Sequence, residues 1–147
     1  MLNREQGLDE IYERIKAKRT DLSLKSFRRT PTTPIDEELM PCVFMLEGAD
    51  TIVEHSQRNQ VGYPAKRVMD LTLELIVNSK NHNIKDLFQQ LRKVVFTQRI
   101  EPFNYSSIVA ANTFISENRT EGPGAYQIPN IIGMKLILDL VYTDYNL

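Results

Sequence analysis

Few side chains in this sequence are of a kind that does chemistry. Its histidines are His55 and His82, and its one cysteine is Cys42. Neither histidine has a cysteine or carboxylate at metal-ligand spacing, so zinc binding and general acid–base work lack a partner. Cys42 follows Pro41 and opens an apolar run. A nucleophilic thiolate needs exposed, electropositive surroundings, so Cys42 reads as core filler. The triplet Asp36-Glu37-Glu38 follows Thr33-Pro34. Adjacent carboxylates on a turn point in different directions, and the pattern fits a capped helix start better than a metal site. Gly122-Pro123-Gly124 resembles a phosphate loop only in glycine content. Pro123 removes an amide donor, and no helix follows to aim amides at an anion. Lys25, Arg28 and Arg29 form a basic stretch that reads either as a contact for phosphate or acid or as a solvated arm. Serine elbows, Walker loops and dinucleotide fingerprints are absent from the sequence. Nothing here supports an enzyme, and no cofactor or metal is expected.

The bulk composition is that of one ordinary globular domain. The chain has 147 residues, 41% hydrophobic and 25% charged. Lys+Arg is 18 against Asp+Glu 19, which gives no global attraction to nucleic acid or an anionic membrane. The single cysteine allows no internal disulfide and fits a reducing compartment. The richest apolar run, Leu71 to Val77, is broken by Thr72 and Glu74 and is far short of a membrane span. The first residues lack a signal-peptide core, so synthesis in the cytoplasm is expected.

The elements follow from periodicity. Leu8, Ile11, Tyr12 and Ile15 make one thin stripe of a helix over residues 3–19, with Asn3 as its cap. So narrow a stripe predicts a helix that lies on the surface and builds no core. Residues 20–34 read as a basic, extended linker, and Pro34 to Pro41 as one short turn. Cys42 to Glu47 is a strand apolar on both faces, which Gly48-Ala49-Asp50 ends or bends; Thr51 to Ser56 reads as a further strand. After a polar loop at 57–64, Ala65 to Asn78 alternates strictly. Met69, Leu71, Leu73, Leu75 and Val77 take one face, and Asp70, Thr72, Glu74 and Asn78 the other. Asn83 caps a helix running to about Gln98, whose face of Ile84, Leu87, Phe88, Leu91, Val94 and Val95 suits packing on a sheet. Ser107 to Asn118 is a strand, residues 117–127 a polar hairpin tip, and Asn130 to Tyr145 a final strand. The expected class is α+β: a mainly antiparallel sheet with a long C-terminal hairpin, an N-terminal helix and one amphipathic helix packed on the sheet.

The last strand carries the functional argument. It would run roughly 50 Å at about 3.4 Å per residue, more than a small domain covers easily. It must bend, at Gly133 among other places, or pair with something else. Ile137 and Val141 are apolar on its nominally polar face, and Glu117, Arg119 and Glu121 give the tip mixed charges that a neighbouring copy could match. An open edge of such length is a hazard that proteins cover or pair, and a symmetric ring is one solution. Cover by the N-terminal helix or by residues 20–40 of the same chain is the alternative.

The order of these features resembles the tail terminator proteins of long-tailed bacteriophages. An N-terminal helix and an irregular stretch precede a strand that opens with Pro and closes with Gly-Ala-acid, here Pro41-Cys-Val-Phe-Met-Leu-Glu-Gly-Ala-Asp50. A polar loop, a long alternating strand from Val68 to Val77, an amphipathic helix from Ile84 to Gln98 and a closing strand follow. The longer stretch at 20–40 and the extended tip at 117–127 depart from the pattern. The resemblance spans about residues 5–145 and implies one domain over 1–147. It implies a homohexameric ring in the virion that caps the tail tube, ends its polymerisation and joins it to the head or neck. The implied partners are sister copies, the tail tube protein, a neck or head-completion protein and, in a contractile tail, the sheath protein. DNA would only pass through the lumen, with no membrane involved. The 57–64 loop, with Arg58, joins the first helix and the tip as a candidate contact. Another head–tail joining protein is the nearest variant of this reading. A small module binding nucleic acid or protein is the alternative from another class, although Phe114 is the lone aromatic in mid-strand, where RNA-reading sheets present several.

Overall fold

A computed structural model describes residues 3–29, 37–55, 64–96, 108–110 and 113–145. Helix α1 spans Asn3–Ala17. Strand β1, Ser26–Arg28, and a 3₁₀ turn, Glu37–Leu39, precede two long strands, β2 (Cys42–His55) and β3 (Pro64–Asn78). Helix α2 (Ile84–Phe96) is followed by β4 (Ile108–Ala110), β5 (Thr113–Ala125) and β6 (Ile131–Tyr145). These strands form one sheet in the order β1-β2-β3-β6-β5-β4. All neighbours are antiparallel except β1 and β2. The α+β class expected from periodicity is the fold observed.

Alternation dictates the main core. Met69, Leu71, Leu73, Leu75 and Val77 of β3 lie on one face beside Met134, Leu136, Leu138, Leu140 and Tyr142 of β6. Ile84, Leu87, Phe88, Leu91 and Val95 of α2 pack onto that face. The helix starts where expected: Asn83 Oδ1 accepts from the amides of Lys85 at 3.1 Å and Asp86 at 3.3 Å, satisfying two otherwise orphaned donors.

Several expectations are corrected. Helix α1 is no surface appendage, because Leu8, Ile11 and Ile15 are fully buried in the main core. The thin stripe suffices because Gly7 brings the helix close to the sheet; a Cβ there would stand 2.8 Å from Thr113 Cγ2 and 2.9 Å from Leu140 Cδ1. Arg14 Nη1 from α1 donates to the Val95 carbonyl at 2.7 Å and ties the two helices together.

Residues 20–29 are not an extended linker. Leu22 and Leu24 are buried, Phe27 stacks on Tyr12 at 4.9 Å, and β1 pairs parallel with β2. Three well-spaced apolar residues in a basic stretch were enough to fold it inward. Gly48 bends β2 without ending it. The register jumps between Glu47 and Asp50, a β-bulge that keeps the strand running to His55.

The polar tip is shorter than 117–127. Strand β5 runs through Gly122-Pro123-Gly124 to Ala125, and a register jump between Glu121 and Gly124 absorbs those residues. The turn is residues 126–130, where Asn130 takes φ 69 and the Ile131 amide donates to the Ile128 carbonyl at 3.2 Å. Strand β6 runs unbroken through Gly133, and both of its edges are paired over most of their length. It pairs with β3 from Ile131 to Tyr145 and with β5 from Ile132 to Val141.

Candidate functional site

The sheet has a second face, turned away from both helices, and most of the candidate residues lie on it. At one end the face is closed by a small cluster: Met40, Cys42, Ile76 and Ile131 are buried there, with Phe44 and Tyr126 packed against them. Tyr126 crosses β6 over Gly133, where a Cβ would stand 2.7 Å from its ring. Its hydroxyl donates to Glu74 Oε1, and Lys135 Nζ lies 3.8 Å from Glu74 Oε2. Burial, then the bond to Glu74, raises the Tyr126 phenol. Burial also pushes the Cys42 thiol up to about 11, which favours its protonated form at neutral pH.

Beyond this cluster the second face opens in rows across the strands. Ile137 sits between Thr72 of β3 and Arg119 of β5 and is only 7% exposed. Next along, Asp70 and Asp139 face each other directly across β3 and β6, and the Asn118 amide donates to both Asp139 oxygens at 3.3 and 3.4 Å. The last row runs Thr51, Val68, Val141 and Phe114. Val141 is half-buried and Phe114 is 44% exposed. The sequence singled out Ile137 and Val141, and the fold places both on this one face.

The charged candidates separate. A bulge at Asn118 shifts the alternation of β5, so that Glu117 pairs with Leu138 on the helix face while Arg119 and Glu121 pair with Ile137 and Lys135 on the other. Glu117 is bonded to Arg92 of α2. Arg119 Nε donates to Glu121 Oε2 at 2.8 Å, both largely solvated. Arg58 lies outside the described residues. The sequence placed 117, 119 and 121 together in a polar tip; the bulge that splits them has no sequence signal beyond a run of polar residues. Arg92 stands on the polar side of α2, and its role emerges only from the packing of α2 beside β5.

The other chemistry-bearing residues stay apart. His82 is half-buried beside an open cleft of about 480 Å³ lined by residues 79–85, Pro123 and Ile132. The side chain of His55 lies outside the described set. Among the described residues no group of three or more His, Cys, Asp or Glu is placed to hold a metal ion, and no helix is long and apolar enough to cross a membrane. Compared with protein-family models and with curated proteins, the sequence matches none.

The edges of the sheet complete the surface. Strand β1 covers β2 only at Cys42–Phe44, and β4 covers β5 only at Thr113 and Phe114. Among the described residues, no strand pairs with the outer edge of β2 over 45–55 or of β5 over 115–125. Such rows of unpaired amides and carbonyls are templates for another chain. What this arrangement offers is shape and backbone hydrogen bonding along two long borders.

Proposed function

We propose that this chain is a virion structural protein of a long-tailed phage. In this reading it forms a homo-oligomeric ring, six-fold by resemblance to the tail terminators, that seats on the last ring of the tail tube. It ends tube growth and presents a new surface to the neck or head. The mechanism is steric: tube subunits add because each exposed ring offers a complementary face, and the terminator matches that face below and offers a different one above. The observation that carries the reading is the pair of outer edges, on a sheet of long strands, that no other strand among the described residues pairs with and that sister copies would complete. The order of elements shared with that family supports it.

Tail tubes assembled with and without the purified chain test it. Electron microscopy should show tubes that stop elongating in its presence and carry added density at one end. Tubes that grow to the same lengths and bind none of the chain would remove the proposal.

A further inference from the structure

The open edges have a geometry of their own. Cys42 and Phe44 lie level with Gly124 and Glu121, through Ile76–Gly133 and Glu74–Lys135. Phe114 lies level with Thr51, through Val141 and Val68. The two short strands β1 and β4 therefore cap diagonally opposite corners of the sheet. They leave free stretches of equal length, residues 45–55 on β2 and 115–125 on β5. Three antiparallel pairings separate these strands, so β2 and β5 run in opposite directions. Laying β5 of one copy beside β2 of the next continues the antiparallel alternation and keeps the helix face on one side throughout.

We infer that successive copies join head to tail by pairing residues 48–55 of β2 with residues 115–121 of β5. The ladder stops short of Pro123, which has no amide to donate. This names the joint within the ring proposed above and rests on that reading.

Of the large apolar side chains left exposed, Ile52, at 43%, lies within the free stretch of β2 and gains cover in the joint. The geometry also favours closure over a filament. Matching the free stretches end to end sets residue 45 of the next copy beside Ala125, whose own row, through Ile132 and Val77, meets β2 just before Cys42. Each joint thus shifts the register by about four residues for every four long strands, and a register shift repeated in one sense tilts strands and closes a sheet into a barrel. A shear equal to the strand number is that of the eight-stranded α/β barrel, with a tilt of about 36°.

Light scattering on the native chain and on Ile52→Lys and Ser116→Lys tests the joint, because Ser116 is exposed on the free stretch of β5 and a lysine at an exposed edge opposes pairing while leaving the core untouched. The native chain should show a multiple of 17.0 kDa, and each variant, folded by circular dichroism, should fall to a single copy. Mixing the two variants should give a complex of two copies, since each retains the edge the other lacks. Amide exchange should be slow over 48–55 and 115–121 in the native assembly and fast in the variants. A native multimer whose mass and edge protection survive both substitutions would overturn the edge joint and leave the ring reading standing. A variant that still dimerises alone would replace head-to-tail pairing with a symmetric contact and overturn the inference. A native monomer with fast-exchanging edges would overturn the joint and the ring together.

Discussion

The Tyr142 hydroxyl donates to Asp50 Oδ1 at 2.8 Å, although their strands, β6 and β2, are not neighbours. The phenol reaches across β3 to the bulge in β2. Asp50 also accepts from Arg4 Nε at 3.2 Å, and Arg4 contacts Glu47 at 3.1 Å. Burial lowers the Arg4 pKa, but the carboxylates of Asp50, Glu47 and Glu5 outweigh it and the net shift is upward. Tyr142 is 4% exposed, so its hydroxyl is an inner tether between the bulge and the sheet centre.

Removing that tether should cost one hydrogen bond and no packing. Tyr142→Phe is expected to destabilise the fold by about 1 kcal/mol, because Asp50 keeps Arg4 as a partner. Urea denaturation should show a lower midpoint with an unchanged slope.

Alkaline pH should weaken the fold. Burial, and then the bond to Asp50, raises the Tyr142 phenol from 10.0 to about 12, and burial raises the Cys42 thiol from 9.0 to about 11. Both groups are held neutral in the folded state, so their contribution is complete below the unfolded values and is lost as pH climbs toward the folded ones. The melting temperature should therefore fall progressively between about pH 9 and 12, by this linkage. Tyr142→Phe should flatten the upper part of that fall.

Helix α1 should behave as core. Ile11→Ala is expected to cost about 2–5 kcal/mol, the range for a fully buried large-to-small change, where a surface helix would lose a small fraction of that. Chemical denaturation of the two proteins measures the difference.

Close approach, more than backbone freedom, should make two glycines hard to replace. A Cβ on Gly48 would stand 2.9 Å from both the Cβ and the backbone oxygen of Asp70, and neither can swing away. A Cβ on Gly133 meets the Tyr126 ring, which can swing away by giving up its bond to Glu74. Gly48→Ala should thus be the more damaging, by about 1–3 kcal/mol, the usual range for overpacking. Thermal melts of both variants give the order, and equal melting temperatures would contradict it.

Local pattern determined a good part of this protein. The five-pair alternation of β3, the broad stripe of α2, its Asn83 cap and the length of β6 were legible because each is written within a few residues, at the period its own backbone imposes. The α+β class followed from those elements. Ile137 and Val141 were legible as residues needing cover, since they break a polar face. Tertiary structure alone decided which strands are neighbours. Pairing partners are set by the sum of contacts far apart in sequence, so nothing in residues 131–145 declares that β3 and β5 flank β6, or that the open borders fall on β2 and β5. The burial of α1 depended on Gly7 meeting Thr113 and Leu140, more than a hundred residues away. The split of Glu117 from Arg119 and Glu121 turned on one extra residue in β5, an insertion visible only against the register of its partner strand.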